Sequence, residues 1–470
     1  MGWDTQKVNE HTHRFERDSM GEIAVPVDAL WGAQTQRALQ YGSLSWRRLP
    51  RSFFHAIGLI KAAASRANGQ LELLPQPMAA TIEIHALAVA EGRYDAHFPL
   101  DVFQTGSATS THMNVNEVLA NLSSATLGQP VHPNDHVNMG QSSNDVIPTT
   151  LRVAAVLACQ ATLIPALSHL RRVIVRRGRT LGHIVKNGRT HLMDAMPITM
   201  EQEFEAWSAQ IASAINRIND TLVRLRRLPL GGTAVGTGIN THVRFAPLAL
   251  ATLNELSCTG FELAANRFEG IAAQDDIVEL SGQLNALAVA LIKIANDLRW
   301  MNSGPHGGLA EIQLAPLQPG SSIMPGKVNP VIPEAVIMVA AQVIGYHTAV
   351  TVGGQSGNFQ LNVTLPLLAA NVLDAIELLG QSANALADRV IATLTVCRDS
   401  IERRVMRNPI LVTALSPLIG YEKAAAIAKR ASEEQRSLFD VAREDSGLSA
   451  EQLSAALDPQ ALTRGGLPGQ

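Results

Sequence analysis

The chain of 470 residues has few cysteines, few aromatic residues and little net charge. Cys159, Cys258 and Cys397 lie far apart and form no CxxC pair, which argues against a disulfide framework or a zinc site and favours a reducing compartment. The formal charge of −3 produces no field that would attract nucleic acid or an anionic membrane surface. The composition therefore predicts a cytoplasmic protein with no nucleic-acid or membrane partner.

Targeting and membrane-spanning patterns are also missing from the sequence. The first segment, MGWDTQKVNEHTHRFERD, is polar and charged, unlike a signal peptide. The most apolar stretches contain internal Gln, Asn, Lys or Pro, and we expect them to turn over before they reach membrane length. The sequence thus predicts a soluble protein.

Aromatic residues make up only 4% of the chain while alanine and leucine are abundant, and this balance favours packed helices over sheets. Apolar residues recur at steps of three and four, which predicts long helices with one buried stripe each. The three clearest stripes are Phe204, Trp207, Ile211, Ile215, Ile218, Leu222, Leu225; Leu280, Leu284, Leu287, Leu291, Ile294, Leu298; and Val372, Ile376, Leu379, Leu386, Val390. Two more patterns, at about 150–180 and 333–348, complete a predicted five-helix bundle.

The sequence divides into three predicted domains. Residues 1–145 are predicted to form a mixed, mainly helical domain that carries polar loops. Residues 146–395 contain the long helices, and residues 396–470 are predicted to form a small helical domain that ends in a loose tail. The predicted fold class is all-α, with a long central bundle.

Two glycine-rich strings and one basic cluster suggest phosphate or nucleic-acid binding, but each lacks a required feature. The string from Gly231 to Asn240 follows a helix instead of a strand, and its spacing is not GxGxxG. Five residues separate Gly320 from Gly326 where a phosphate loop needs four. The basic cluster has no aromatic platform beside it, so a solvated helix face or a subunit contact explains it better. Its members are Arg171, Arg172, Arg176, Arg177 and Arg179.

Four polar segments stand out from the helical background. They are TGSATSTHMNVNE at 105–117, HPNDHVNMGQSSND at 132–145, GRTHLMDA at 188–195 and GSSIMPGKVNP at 320–330. Hydroxyls, amides and backbone N–H groups on such loops suit small carboxylates, which need several donors each. A single polar loop is more often a helix cap or a turn. Four of them at the ends of a rigid bundle predict one shared cleft.

Together with WGAQTQRAL near residue 31 and LVTALSPLIGYEKAAAIAK at 411–429, these segments resemble the fumarase/aspartase superfamily. Within it the chain is most similar, over nearly its whole length, to the class II fumarate hydratase family. The resemblance implies a three-domain helical subunit, a homotetramer with each active site drawn from three subunits, and no metal or other cofactor. The implied reaction, which belongs to the tricarboxylic acid cycle, hydrates fumarate reversibly to (S)-malate by anti addition of water through an enediolate (aci-carboxylate).

The resemblance also implies roles for individual residues. Ser321 would be the base that takes the carbon-bound proton, with Lys327 close by, and His191 paired with Glu334 would handle the water. The implied substrate-binding residues are Ser107, Ala108, Thr109, Ser142, Ser143, Asn144, Thr190, Ser322, Lys327, Val328 and Asn329. A second anion site would comprise His132, Pro133, Asn134 and Asp135. A plain turn at 132–135, and a helix cap formed by Ser321 and Ser322, remain alternatives.

Four positions depart from the usual family pattern. His112 stands where asparagine is common, and Ala108, Gln129 and His306 also differ. The nearest alternative function is aspartate ammonia-lyase, whose members usually carry glutamine at the position of His191 and STND where this chain has SSND. Argininosuccinate and adenylosuccinate lyases match less well. A helical scaffold without catalytic activity is the alternative from a different class.

Overall fold

The computed structural model describes residues 12–466 and is 62% helical. Residues 1–11, in the polar N-terminal segment, and residues 467–470, at the end of the predicted tail, lie outside the described residues. The helices are α1 (Ala33–Gln40), α2 (Arg51–Gln70), α3 (Gln76–Ala90), α4 (Thr109–Leu127), α5 (Ser143–Ala158), α6 (Ile164–Leu181), α7 (Met200–Leu225), α8 (Phe245–Ser257), α9 (Arg267–Ala272), α10 (Asp275–Met301), α11 (Val331–Gly354), α12 (Leu365–Leu386), α13 (Arg398–Met406), α14 (Ser416–Ile419), α15 (Tyr421–Glu433), α16 (Leu438–Asp445), α17 (Ala450–Ala456) and α18 (Pro459–Leu462).

The strands are short, and within residues 12–466 every sheet has two strands. They are β1 (His13–Asp18), β2 (Gly21–Pro26), β3 (Val185–Thr190), β4 (Met193–Thr199), β5 (Arg227–Leu228), β6 (Glu262–Leu263), β7 (Ile312–Gln313), β8 (Gly357–Asn358), β9 (Leu361–Asn362) and β10 (Thr395–Val396). The hairpins β1–β2 and β3–β4 are the longest pairs. The predicted all-α class is confirmed, because the strand pairs are small additions to a mainly helical protein.

The chain forms two compact units. Among the described residues, the first contains residues 12–165, 216–288 and 341–380, and the second contains residues 166–215, 289–340 and 381–466. In the first unit α2 packs on α3 and buries most of its length. Gly58 permits this close packing, because a Cβ there would lie 2.6 Å from the backbone nitrogen of Ala90. In the second unit the C-terminal helices enclose an apolar core that includes Leu415, Ile427 and Val441.

Five long helical segments, α5–α6, α7, α10, α11 and α12, begin in one unit and end in the other. In the second unit Trp207 of α7 donates to Asp297 of α10 at 3.1 Å. In the first unit Arg224, near the other end of α7, pairs with Glu279 of α10 at 2.6 Å. In the first unit α10 and α11 pack antiparallel, as the pairs Ser281–His347 and Val278–Gly354 show. The α5–α6 segment contacts α12 at Thr162–Gly380 in the first unit and the turn after α12 at His169–Asp388 in the second.

The structure confirms the three predicted apolar stripes as buried faces of α7, α10 and α12, except that Ile215 is only half-buried and Val390 lies in the π-helical turn Ala387–Ile391 after α12. The pattern predicted at about 150–180 is part of a longer segment, in which α5 continues through a π-helical turn at Cys159–Leu163 into α6. The pattern at 333–348 extends to the whole of α11. The three-domain boundaries at 145 and 395 stay a prediction.

One expectation about the apolar stretches is wrong. Three helical segments are long and apolar enough to cross a membrane by length and composition, namely Ser143–Leu181, Asp275–Met301 and Val331–Gly354. We expected isolated polar residues to end the apolar stretches early. The helices continue through these residues instead, so the apolar segments reach membrane length. Half of the most apolar window is buried in the first two segments, but only 22% in α11. The exposed apolar surface of α11 therefore needs another covering.

Candidate active site

The turn before α4 presents the first two predicted carboxylate binders, Ser107 and Thr109. Their hydroxyl oxygens lie 2.8 Å apart. Gly106 is required here, because a Cβ would lie 1.7 Å from the carbonyl oxygen of Val363. Ala108 occupies the N-cap position in a left-handed conformation and provides no side-chain cap. Gln104 caps the N–H of Thr111 at 3.0 Å. The N–H groups of Thr109 and Ser110 and the positive end of the helix dipole are therefore the features of this helix end that suit a carboxylate beside the hydroxyls.

The second segment, at the start of α5, is held by a buried carboxylate. Ser142 and Asp145 form a reciprocal capping box, in which Asp145 accepts the N–H of Ser142 at 2.9 Å. Asp145 also accepts the N–H groups of Gly231 at 2.9 Å and Thr233 at 3.0 Å. Burial raises the pKa of Asp145, while these N–H groups act to lower it. The glycine-rich string at 231–240 is thus a structural partner of the SSND segment.

Two buried side chains support this segment: Lys61, which the sequence analysis did not select, and His112, which it named only as a departure from the family pattern. Lys61 of α2 donates to Gln141 at 2.9 Å and to Asn138 at 3.2 Å, which fixes the turn before Ser142. Burial lowers the pKa of Lys61 well below its usual value, while the Asp145 carboxylate acts to raise it. His112 of α4 places Nδ1 2.8 Å from the hydroxyl oxygen of Ser143. The 105–117 and 132–145 segments therefore come together in the first unit.

The predicted second anion site is built as a π-helical turn over Pro133–Val137. Its N-cap is His132, whose Nδ1 accepts the backbone N–H groups of Asn134 at 3.3 Å and Asp135 at 3.1 Å. The Asp135 carboxylate lies 3.2 Å from the same nitrogen. The contacts of His132 and Asp135 stabilise the turn itself, so a structural role explains these two residue types. The anion-binding role of the segment stays a prediction.

In the second unit, Thr190 and His191 lie at the tip of the β3–β4 hairpin. His191 and Leu192 both have positive φ, of 54° and 62°, as a two-residue turn of this kind requires. A buried carboxylate stabilises strand β3 of this hairpin, because Glu311 forms ion pairs with Arg189 at 2.6 Å and with Lys186 at 3.0 Å. His191 is therefore exposed at the tip of a hairpin whose strand β3 is held in place by buried ion pairs.

The segment 316–330 forms an exposed polar loop around a cavity of about 420 Å³ that Ser321, Lys327 and Val328 help to line. The loop closes on itself, because Gly320 donates its N–H to the carbonyl of Lys327 at 2.8 Å and accepts from the Asn329 amide at 2.7 Å. A Cβ on Gly320 would lie 2.5 Å from that carbonyl oxygen. This position therefore has to be glycine.

The hydroxyl oxygen of Ser321 accepts two backbone N–H groups of its own loop, from Met324 at 2.9 Å and from Ile323 at 3.3 Å. The following helix, α11, begins only at Val331. The alternative in which Ser321 and Ser322 cap that helix is therefore wrong. Donors that point at an oxygen stabilise negative charge on it, which is what a serine base requires.

The two units divide the predicted site residues between them. The first unit carries the 105–117 and 132–145 segments, and the second carries Thr190, His191, the 320–330 loop and Glu334. Within residues 12–466 the structure shows no hydrogen bond between His191 and Glu334, so their pairing stays a prediction. Among the same residues, no group of three or more His, Cys, Asp or Glu side chains is arranged to hold a metal ion.

Comparison with known proteins identifies the family of the chain. A family model described as "Lyase" matches residues 21–345, and one described as "Fumarase C C-terminus" matches residues 411–464. The chain is 63% identical to a class II fumarate hydratase of Xylella fastidiosa, with 99% of this chain and 98% of the relative covered. A class II fumarate hydratase of Pseudomonas aeruginosa is 54% identical, with 97% and 99% covered. A crystal structure of class II fumarase from Schistosoma mansoni superposes with a TM-score of 0.92 at 35% identity, covering 96% of this chain and 99% of that one. The chain therefore belongs to the class II fumarate hydratase family of the fumarase/aspartase superfamily.

Proposed function

We propose that this protein is a hydro-lyase that converts fumarate and water reversibly into (S)-malate. The observation that carries the proposal is the environment of Ser321, whose hydroxyl oxygen accepts two backbone N–H groups in the loop that also bears Lys327. Serine is a weak base in water. Preorganised donors and a nearby cation stabilise its alkoxide, and so make it strong enough to remove a proton from carbon.

In the dehydration direction, the alkoxide of Ser321 takes a proton from C3 of malate. The electron pair of the broken C–H bond moves into the adjacent carboxylate and gives a dianionic enediolate. That pair then returns to form the C2–C3 double bond while the C2–O bond breaks. His191, with Glu334 behind it, gives the departing oxygen a proton, so water leaves. Addition of water follows the same steps in reverse.

Charge on the enediolate has to be met by donors that are already in place. We propose that the donors come from both units: Ser107, Thr109, Ser142, Ser143, Asn144, Thr190, Ser322, Lys327 and Asn329, with Ala108 and Val328 in the same turns. The amino end of α4 and the cation of Lys327 favour one carboxylate each. A dicarboxylate fits this set better than a monocarboxylate does.

We propose that the protein works as a cytoplasmic homotetramer. The exposed side of α11 carries Met338, Ile344 and Val352, with exposed fractions of 67%, 37% and 54%, and Val289 is exposed on α10. Large apolar side chains exposed along a long helix favour contact with another apolar surface that covers them. Copies of the same helices supply one without a membrane, and they bring together polar loops that a single chain keeps in separate units.

The experiment that tests this function follows fumarate by its ultraviolet absorbance, with purified protein, in the presence and absence of ammonia. We expect fumarate to disappear and malate to form without ammonia, because His191 is suited to protonating a departing hydroxyl group. Consumption that requires ammonia and yields aspartate would establish the ammonia-lyase alternative. Complete inactivity would leave the scaffold interpretation.

A further inference from the structure

A buried polar contact joins α4 to the SSND segment in the first unit. His112 has no exposed surface, and its Nδ1 lies 2.8 Å from the hydroxyl oxygen of Ser143. Its other ring nitrogen, Nε2, is buried and has no hydrogen-bond partner among residues 12–466. Burial, and then the cation of Lys61, lower the pKa of His112 well below its usual value, so the imidazole is neutral and carries one proton.

The location of that proton follows from the two environments of the ring. A proton on Nε2 would leave a buried N–H donor without an acceptor, which costs more than leaving a lone pair unpaired. A proton on Nδ1 is donated to the Ser143 oxygen and leaves only a lone pair at Nε2. The structure therefore favours the tautomer in which His112 donates to Ser143.

The direction of this hydrogen bond decides what Ser143 can offer to a ligand. A serine that gave its proton to His112 would present only lone pairs, and these repel a carboxylate. A serine that accepts from His112 keeps its own O–H free and turns it away from the imidazole. The contact thus sets the hydroxyl as a donor before any substrate arrives.

We propose that His112 is a positioning residue that holds Ser143 as a hydrogen-bond donor to a substrate carboxylate. This inference rests on the proposed function, which places Ser143 at the substrate. In this proposal His112 does not contact the substrate. It contacts Ser143, and Ser143 contacts the substrate. It also gives the buried His112 a role other than filling space.

A double-mutant cycle on the full-length protein tests the proposal. We expect His112→Leu to lower kcat/KM for fumarate about tenfold, because a hydrogen bond to a charged group contributes an effect of this order. In a Ser143→Ala background the same substitution should change kcat/KM less than about twofold, since its target is gone. His112→Asn should keep kcat/KM within about threefold of wild type, because its amide nitrogen can donate from the position of Nδ1.

The outcomes separate the proposal from a purely structural role for His112. Equal losses in the wild-type and Ser143→Ala backgrounds would overturn the proposal while the hydration activity stands. His112→Asn that is as impaired as His112→Leu would also overturn it. If His112→Leu does not fold, the flexible His112→Met replaces it in the same cycle. Wild-type protein that does not hydrate fumarate would overturn the proposed function, and the role of His112 with it.

Discussion

Ser321→Ala is expected to lower kcat for malate dehydration and fumarate hydration by about 10²- to 10⁴-fold, the range that a positioned general base contributes. The substitution removes the oxygen that accepts the N–H groups of Met324 and Ile323 but leaves Lys327 and Asn329 in place. Binding of a dicarboxylate inhibitor should therefore change by less than about threefold. Initial rates and inhibitor titration measure the two effects separately.

Exchange of the C3 proton of malate with solvent deuterium gives a second measurement of the same assignment. Loss of the base should slow this exchange as strongly as it slows turnover. The matched control is Ser449→Ala, because Ser449 also accepts a backbone N–H through its hydroxyl, at 3.1 Å, in the C-terminal helices. We expect normal turnover in that control. Undiminished exchange or turnover in Ser321→Ala would show that another group is the base.

Lys327→Met is expected to lower kcat/KM by about 10²- to 10³-fold, the loss that follows removal of one donor to a developing oxyanion. Methionine keeps most of the unbranched side chain but removes the cation that is proposed to stabilise the substrate carboxylate and the Ser321 alkoxide. The loop itself should persist, because Lys327 contributes to its closure through its carbonyl, which accepts from Gly320. Steady-state kinetics with fumarate and with malate measure the loss.

Lys429→Met is the matched control for charge and exposure, because Lys429 is an exposed lysine in the C-terminal helices with only a long ion pair to Glu433, at 3.8 Å. Exposed pairs of this kind contribute little. We expect wild-type kinetics from this variant. An equal decrease in both variants, or a decrease in Lys327→Met of less than about threefold, would contradict the role of Lys327 in charge stabilisation.

Local sequence patterns were enough to predict the helical architecture. The predicted apolar stripe from Phe204 to Leu225 lies within α7, which ends at Leu225. Apolar residues spaced three and four positions apart identify the buried face of a helix. This prediction can therefore be made without knowing which helix packs against that face. The polar segments were recognisable for the same reason, since their composition differs from that of the helices around them.

Contacts between distant segments could not be predicted in this way. The bonds from Lys61 to Gln141 and from His112 to Ser143 join residues 80 and 31 positions apart, and no local period encodes them. For Lys61 a weak sign existed, because it is a single cation within the apolar, alanine-rich stretch of α2. The hairpin below His191 was missed because its turn uses two non-glycine residues at positive φ.

Polar turns from several copies of the chain are proposed to meet around one dicarboxylate, and mixed oligomers test this most directly. Ser321→Ala and His191→Asn chains would be coexpressed with different tags, and oligomers carrying both tags would be isolated. If different copies supply Ser321 and His191, random mixing leaves both residues intact in about a quarter of the sites, so turnover should return to about a quarter of the wild-type value. Turnover of the mixed oligomers no greater than that of either variant alone would contradict a site shared between copies.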